Sequence, residues 1–116
     1  MHELPMVKRI VDIAESHARR ETARRVLAVR LSVGSLCDVV PLWVERYFRK
    51  LSAGTLLEGA RLLITSEAAR VRCLECAAEF PAPAAPLGRI TCPQCGSGNC
   101  SLVAGLDWRL ESIEVE

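Results

Sequence analysis

Two Cys-x-x-Cys pairs set the tightest limit on how this 116-residue chain can fold. Cys73-Leu-Glu-Cys76 is followed, after a gap of 15 residues, by Cys92-Pro-Gln-Cys95. A Cys-x-x-Cys turn places two thiolates on one side of a tight loop, and two such turns complete the tetrahedral sulfur set that zinc prefers. The gap suits a short hairpin that brings the pairs together. Gly96 and Gly98 follow the second pair and can take the positive φ that such turns need. The competing reading is two redox pairs. A thioredoxin-type pair sits at the head of a helix in a βαβ setting, which neither pair has. Four thiolates leave no open position for water, so the expected zinc site is structural and not catalytic. Cys37 and Cys100 lie outside the set and read as small, half-buried residues. Cys100 is close enough to Cys95 to compete as a ligand, but no second cysteine accompanies it.

The redox compartment supports metal over disulfides. Glu3, Lys8, Arg9, Asp12 and Glu15 interrupt the apolar residues of the N-terminus, unlike a signal peptide. No apolar stretch approaches the roughly 18 residues of a membrane span. A cytoplasmic location with reduced thiols is therefore expected. Hydrophobic residues make up 50% and aromatics 4%, so a globular core must come mainly from Leu, Val, Ile and Ala. A modest core of that kind gains from a metal staple.

Charge argues against nucleic acid. The formal net charge is +1, without the basic excess that phosphate neutralisation requires. Between residues 71 and 105, Arg72 and Arg89 are balanced by Glu75 and Glu79, and Phe80 is the single aromatic. A nucleic-acid- or protein-binding zinc ribbon is the alternative function, but neither phosphate binding nor base stacking is supported. No nucleophile–base pair stands out, and His2 and His17 have no evident triad partners. The chain does not read as an enzyme.

Periodicity gives the elements. Residues 4 to 20 read as an amphipathic helix with Leu4, Val7, Ile10, Val11, Ala14 and Ala18 on its apolar stripe. Pro5 is tolerated only in the first turn, so the helix begins at about residue 3 or 4. Residues 25 to 33 alternate, with Leu27, Val29, Leu31 and Val33 on one side of a strand ended by Gly34 and Ser35. Pro41 opens a second helix whose apolar face is Trp43, Val44, Tyr47, Phe48 and Leu51, and Gly54 stops it. Residues 59 to 66 read as a second strand. Strand, helix, strand implies a parallel, right-handed crossover. Residues 107 to 116 form a last strand whose apolar pattern slips phase near Ser112, as at a bulge. The segment 71–105 holds four of the six prolines and five of the six cysteines. The expected fold is α+β: a three-stranded sheet with two helices, carrying an inserted four-cysteine zinc-ribbon-like module. The domains are then residues 1–70 plus 106–116, and residues 71–105.

The chain opens Met1-His2-Glu3. A histidine at position 2 is usually a solvated terminal residue. Its chemistry nonetheless suits a divalent ion, because the Met1 amine, the His2 imidazole and the backbone nitrogens of His2 and Glu3 can close around one metal. A planar nitrogen set favours Ni(II) or Cu(II), and the nitrogens must lose protons to join it. The Glu3 carboxylate could act as an axial or supporting group. His17, well inside the first helix, is a poorer candidate and reads as solvent-facing.

Met-His-Glu, a first helix, the strand end Val-Gly at 33 and 34, the pairs at 73 and 92, and the closing Ser-Ile-Glu-Val-Glu occur in an order that resembles the HypA/HybF family of nickel metallochaperones along essentially the whole chain. The resemblance implies a protein that delivers nickel for maturation of nickel–iron hydrogenase and, in some organisms, urease. It implies transferable Ni(2+) at Met1, His2 and Glu3, and structural Zn(2+) at Cys73, Cys76, Cys92 and Cys95. The implied partners are a HypB-type nickel GTPase and the hydrogenase large-subunit precursor, with no nucleic acid and no membrane; a monomer and a homodimer are both compatible with the sequence. One departure is visible. Many members carry an acidic residue about six positions after the glycine that ends the first strand; here that position is Val40, and Asp38 lies two residues earlier.

Overall fold

A computed structural model describes residues 3–83 and 87–116. The element order is α1 (Glu3–Arg20), β1 (Val26–Gly34), α2 (Pro41–Ser52), β2 (Arg61–Glu67), β3 (Arg70–Cys73), β4 (Glu79–Pro81), a 3-10 turn (Leu87–Arg89), β5 (Cys100–Ala104) and β6 (Trp108–Val115). The strands form two three-stranded sheets, ordered β2-β1-β6 and β4-β3-β5. The mixed α+β class expected from the sequence holds. The chain separates into two compact units. One takes the residues up to Ser32 with Asp38–Thr65 and Arg109–Glu116, and the other takes Val33–Cys37 with Ser66–Trp108.

The hydrogen bonds beyond the strand ends fix the direction of the first sheet. Val26 N–H donates to Leu56 O and Ser35 N–H to Glu67 O, start to start and end to end, so β1 and β2 run parallel as the intervening helix requires. Arg24 N–H donates to Glu116 O and Gly34 N–H to Asp107 O, so β6 runs antiparallel to β1.

In the first unit, α1 buries Met6, Val7, Ile10, Val11, Ala14 and Ala18 and packs on α2. Leu4 is 46% exposed while Met6 is 3% exposed, a correction to the predicted stripe: Leu4 sits in the first turn, before the covered stretch begins. In α2 the buried side chains are Val44, Phe48 and Ser52, and Trp43 remains exposed. Its indole stacks on Tyr47 and lies under the Arg46 guanidinium, 5.2 Å from the ring centre. β1 buries Val29 and Leu31 as predicted, but Val26 and Ala28 on the opposite face are buried too, because a middle strand is covered on both sides. Fully burying each Val, Leu, Ile or Phe contributes about 1.5–3 kcal/mol, which makes this cluster with Leu57 the core of the unit. In β6 the half-buried residues are Trp108, Leu110, Ile113 and Val115, so the predicted change of phase near Ser112 is present.

Two contacts organise the first unit further. The Glu15 carboxylate on α1 accepts the N–H of Leu56 at 3.1 Å and the Arg19 guanidinium at 3.2 Å. Leu56 in turn accepts the N–H of Val26 at 2.8 Å on its carbonyl, so α1 and β1 meet at one residue. Glu3 Oε1 accepts the N–H of Val40 at 3.1 Å. Val40 is the N-cap of α2 and has no side-chain cap of its own. A carboxylate from the first turn of α1 therefore sits at the positive end of α2.

In the second unit, Gly34 is required by a close approach. A Cβ there would lie 2.3 Å from the carbonyl carbon and oxygen of Gly105. Gly105 itself has φ +95° with Ala69 Cα 2.5 Å from where its own Cβ would stand.

Candidate metal centre

The four predicted cysteines come together. Their sulfur atoms all lie within 4.8 Å of one another, with Cys73 Sγ 3.5 Å from Cys95 Sγ and Cys76 Sγ 3.6 Å from Cys92 Sγ. For zinc–sulfur bonds of about 2.3 Å, the edge of a sulfur tetrahedron is about 3.8 Å. Among the described residues this is the one group of three or more His, Cys, Asp or Glu placed to hold a metal.

The two halves of the site are near copies. Ala77 N–H donates to Cys73 O at 3.0 Å, and Gly96 N–H donates to Cys92 O at 2.9 Å. Cys73 N–H donates to Ala78 O and Cys92 N–H to Ser97 O, both at 2.8 Å. Glu75 N–H points at Cys73 Sγ and Gln94 N–H at Cys92 Sγ, each at 3.4 Å. Ala77 and Gly96 carry the left-handed residue of each turn. Gly98 does not, which corrects the expectation that both glycines would.

β3 ends at Cys73 and so aims the first turn, while β5 begins at Cys100, just after the second. β3 pairs antiparallel with β4 on one side and with β5 on the other, with Cys73 opposite Cys100. Leu74 N–H reaches Asn99 O at 2.9 Å, and the Asn99 amide donates to Glu75 Oε1 at 3.2 Å. These links join the two halves. The gap between the pairs holds β4 and the 3-10 turn, a more broken path than the short hairpin the spacing suggested.

The electrostatics favour a cation. The N–H of Cys95 aimed at Cys92 Sγ, helped by Gln94, brings that thiol down to about 7 against the opposing effect of burial. Cys73 is lowered too, first by the Cys76 N–H. For Cys95 the Ser97 N–H favours the thiolate, but its bond to Cys73 and burial outweigh that and push it up to about 12. Cys76 likewise rises despite the Ala78 N–H, through burial and its bond to Cys92. Two of the sulfurs are ready to ionise and two hold their protons, through desolvation and hydrogen bonds to the sulfurs beside them. A divalent ion removes the conflict. Cys73 and Cys92 are buried and Cys76 and Cys95 exposed. The set suits a structural zinc ion, closed to substrate by its four sulfurs.

Of the other candidates, Met1 and His2 lie outside the described residues. Glu3 opens α1 and engages Val40. Val40 thus meets Glu3 through its backbone, a contact no side-chain pattern signals. Asp38 and His17 are exposed. Cys37 and Cys100 are half-buried as expected, with Cys100 Sγ donating to Ser97 O at 3.6 Å.

Comparison with known proteins agrees with this geometry. The family model described as "Hydrogenase/urease nickel incorporation, metallochaperone, hypA" matches residues 1–115. Hydrogenase maturation factor HypA of Geobacter sulfurreducens is 41% identical, with 100% of each chain covered. The factor of the same name from Aquifex aeolicus is 33% identical, covering 100% of this chain and 98% of that one. The solution structure of the nickel metallochaperone HypA from Helicobacter pylori superposes with TM-score 0.72 at 25% identity, covering 99% of this chain and 97% of that one. A further HypA solution structure gives 0.81 at 26% identity, covering 100% and 97%. With its four-sulfur cluster and a match along nearly its whole length, the chain belongs to the HypA family of hydrogenase maturation factors and nickel metallochaperones.

Proposed function

We propose that this protein binds Ni(II) at its N-terminus and hands it on for maturation of nickel–iron hydrogenase, without catalysing a reaction. In this reading Cys73, Cys76, Cys92 and Cys95 hold structural zinc, and Met1, His2 and Glu3 hold nickel. The residues up to 70 with 106–116 act as the nickel-binding domain, and residues 71–105 act as the zinc-binding domain. The observation that carries the nickel site is the place of Glu3. Glu3 opens α1, and the backbone nitrogens of a helix's first turn stand outside its i→i−4 ladder. The Glu3 carboxylate, held by Val40 N–H, fixes where the Glu3 nitrogen stands. His2 and Met1 then supply the remaining nitrogens from a chain end, and a terminal ligand set releases its ion more readily than a buried cage. Nitrogen for nickel and sulfur for zinc keep the two ions apart.

A nickel-charged GTPase of the HypB type and the hydrogenase large-subunit precursor are the proposed partners, urease a further client, and the cytoplasm the location. Among the described residues no helix is long and apolar enough to cross a membrane. The test is Ni(II) calorimetry on zinc-loaded, untagged protein beside His2→Ala. Tight binding of one nickel that His2→Ala abolishes is the expected result. Equal binding by both proteins, or by neither, removes the N-terminal site.

A further inference from the structure

We propose that Cys100 is a redox partner of Cys73: a hydroperoxide oxidant links the two as a disulfide and thereby opens the four-sulfur site. The argument starts from strand register. Cys73 on β3 lies directly opposite Cys100 on β5. The N–H of Cys73 is spent on Ala78 O, and its C=O on Ala77 N–H, both within its own turn. The neighbouring position takes the cross-strand bond instead, from Leu74 N–H to Asn99 O. Cys73 and Cys100 are therefore a non-hydrogen-bonded antiparallel pair, the kind whose Cα atoms stand about 4.5 Å apart with side chains on one face. Disulfides span Cα separations of about 4.4–6.8 Å, so rotation of the side chains is enough to join them. The Cys100 thiol now faces Ser97 O at 3.6 Å, a weak bond to give up.

The chemistry balances with one peroxide. Cys100 reacts first, being half-buried where Cys73 is fully buried: its sulfur attacks the O–O bond of hydrogen peroxide, which breaks to give Cys100 sulfenic acid, and the thiol proton goes to the departing hydroxide and makes water. The Cys73 thiolate then attacks Cys100 Sγ. The S–S bond forms, the S–O bond breaks, and the departing hydroxide takes a proton from solvent. Two electrons pass from the two sulfurs to the peroxide. Three cysteines remain of the four, too few to complete a closed zinc site. Reduction of the disulfide by a dithiol restores the set.

The experiment uses the full, zinc-loaded chain with hydrogen peroxide. Zinc release is followed with a chromogenic chelator, and disulfides are mapped by non-reducing peptide mass spectrometry after alkylation. A Cys73–Cys100 linked peptide should grow in step with zinc release, and dithiothreitol with added zinc should reverse both. Cys100→Ser should load the same one zinc and release it about tenfold more slowly under peroxide. Cys100→Ala serves equally if serine disturbs β5. Disulfides found only among the four ligand cysteines overturn the proposal, as does zinc release from the Cys100 variants at the unmodified rate.

Discussion

Ala77 and Gly96 stand at the same step of the two cysteine turns, and both hold a left-handed backbone, with φ of 64° and 77°. Each donates its N–H to the first cysteine of its turn. One turn uses the residue suited to that conformation, and the other tolerates a Cβ in it. An alanine there is less favourable than glycine by about 1 kcal/mol. Ala77→Gly should therefore stabilise the zinc-loaded protein by about 0.5–1 kcal/mol after its greater unfolded-state entropy is counted. Gly96→Ala should destabilise by a similar amount, since space is open around it and strain is the whole penalty. Urea titrations of both variants decide the matter; equal losses from both would mean that the two turns are not equivalent.

Glu15 gives a prediction in pH. Burial opposes its ionisation, but the Leu56 N–H and the Arg19 guanidinium outweigh it and hold the carboxyl below its ordinary 4.5. A folded-state value below the unfolded one adds stability that is full above about pH 4.5 and fades as pH falls through the folded value. Glu15→Gln should lose about 1 kcal/mol at pH 7. The difference from the parent should shrink below pH 4, where both side chains are neutral. A gap that stays constant down to pH 3 would assign the loss to packing.

Glu3 separates a carboxylate from a backbone role. Glu3→Gln keeps an acceptor for Val40 N–H and should bind nickel with unchanged stoichiometry. Glu3→Ala removes the acceptor at the start of α2 and should cost about 1 kcal/mol of stability. If Glu3→Gln abolishes nickel binding while keeping the fold, the carboxylate itself is a ligand.

Zinc binding must displace protons, above all from Cys95, whose thiol is pushed up to about 12, and from the raised Cys76. Apparent zinc affinity should therefore fall as pH falls, by about tenfold per pH unit for each proton released. Competition with a chelator of known affinity between pH 6 and 8 measures the slope. A flat profile would show that these thiols are ionised before zinc arrives.

The zinc set was legible because its signal is covalent and local: four cysteines in two three-bond turns need no tertiary knowledge to be paired. The two helices and β1, β2 and β6 were legible from their apolar patterns, which repeat over whole turns in the helices, alternate along β1 and alternate with one slip of phase near Ser112 in β6. The burial of Val26 and Ala28 was not, because alternation shows which residues share a face and not that both faces are covered. Leu4 was misplaced because a stripe drawn on an isolated helix does not record where its cover ends. The Glu3–Val40 bond and the facing of Cys73 by Cys100 were invisible for one reason. Each depends on strand register or helix approach over 37 and 27 positions of sequence.

The bond from Val40 to Glu3 is made by a peptide N–H. Side-chain identity at position 40 is thereby uncoupled from the contact made there. Nineteen of the twenty amino acids supply that hydrogen, and proline alone withholds it. Substitution at this position can thus wander through charge, size and polarity while the start of α1 stays tethered to α2, and a library of variants at position 40 should tolerate nearly every residue and reject one.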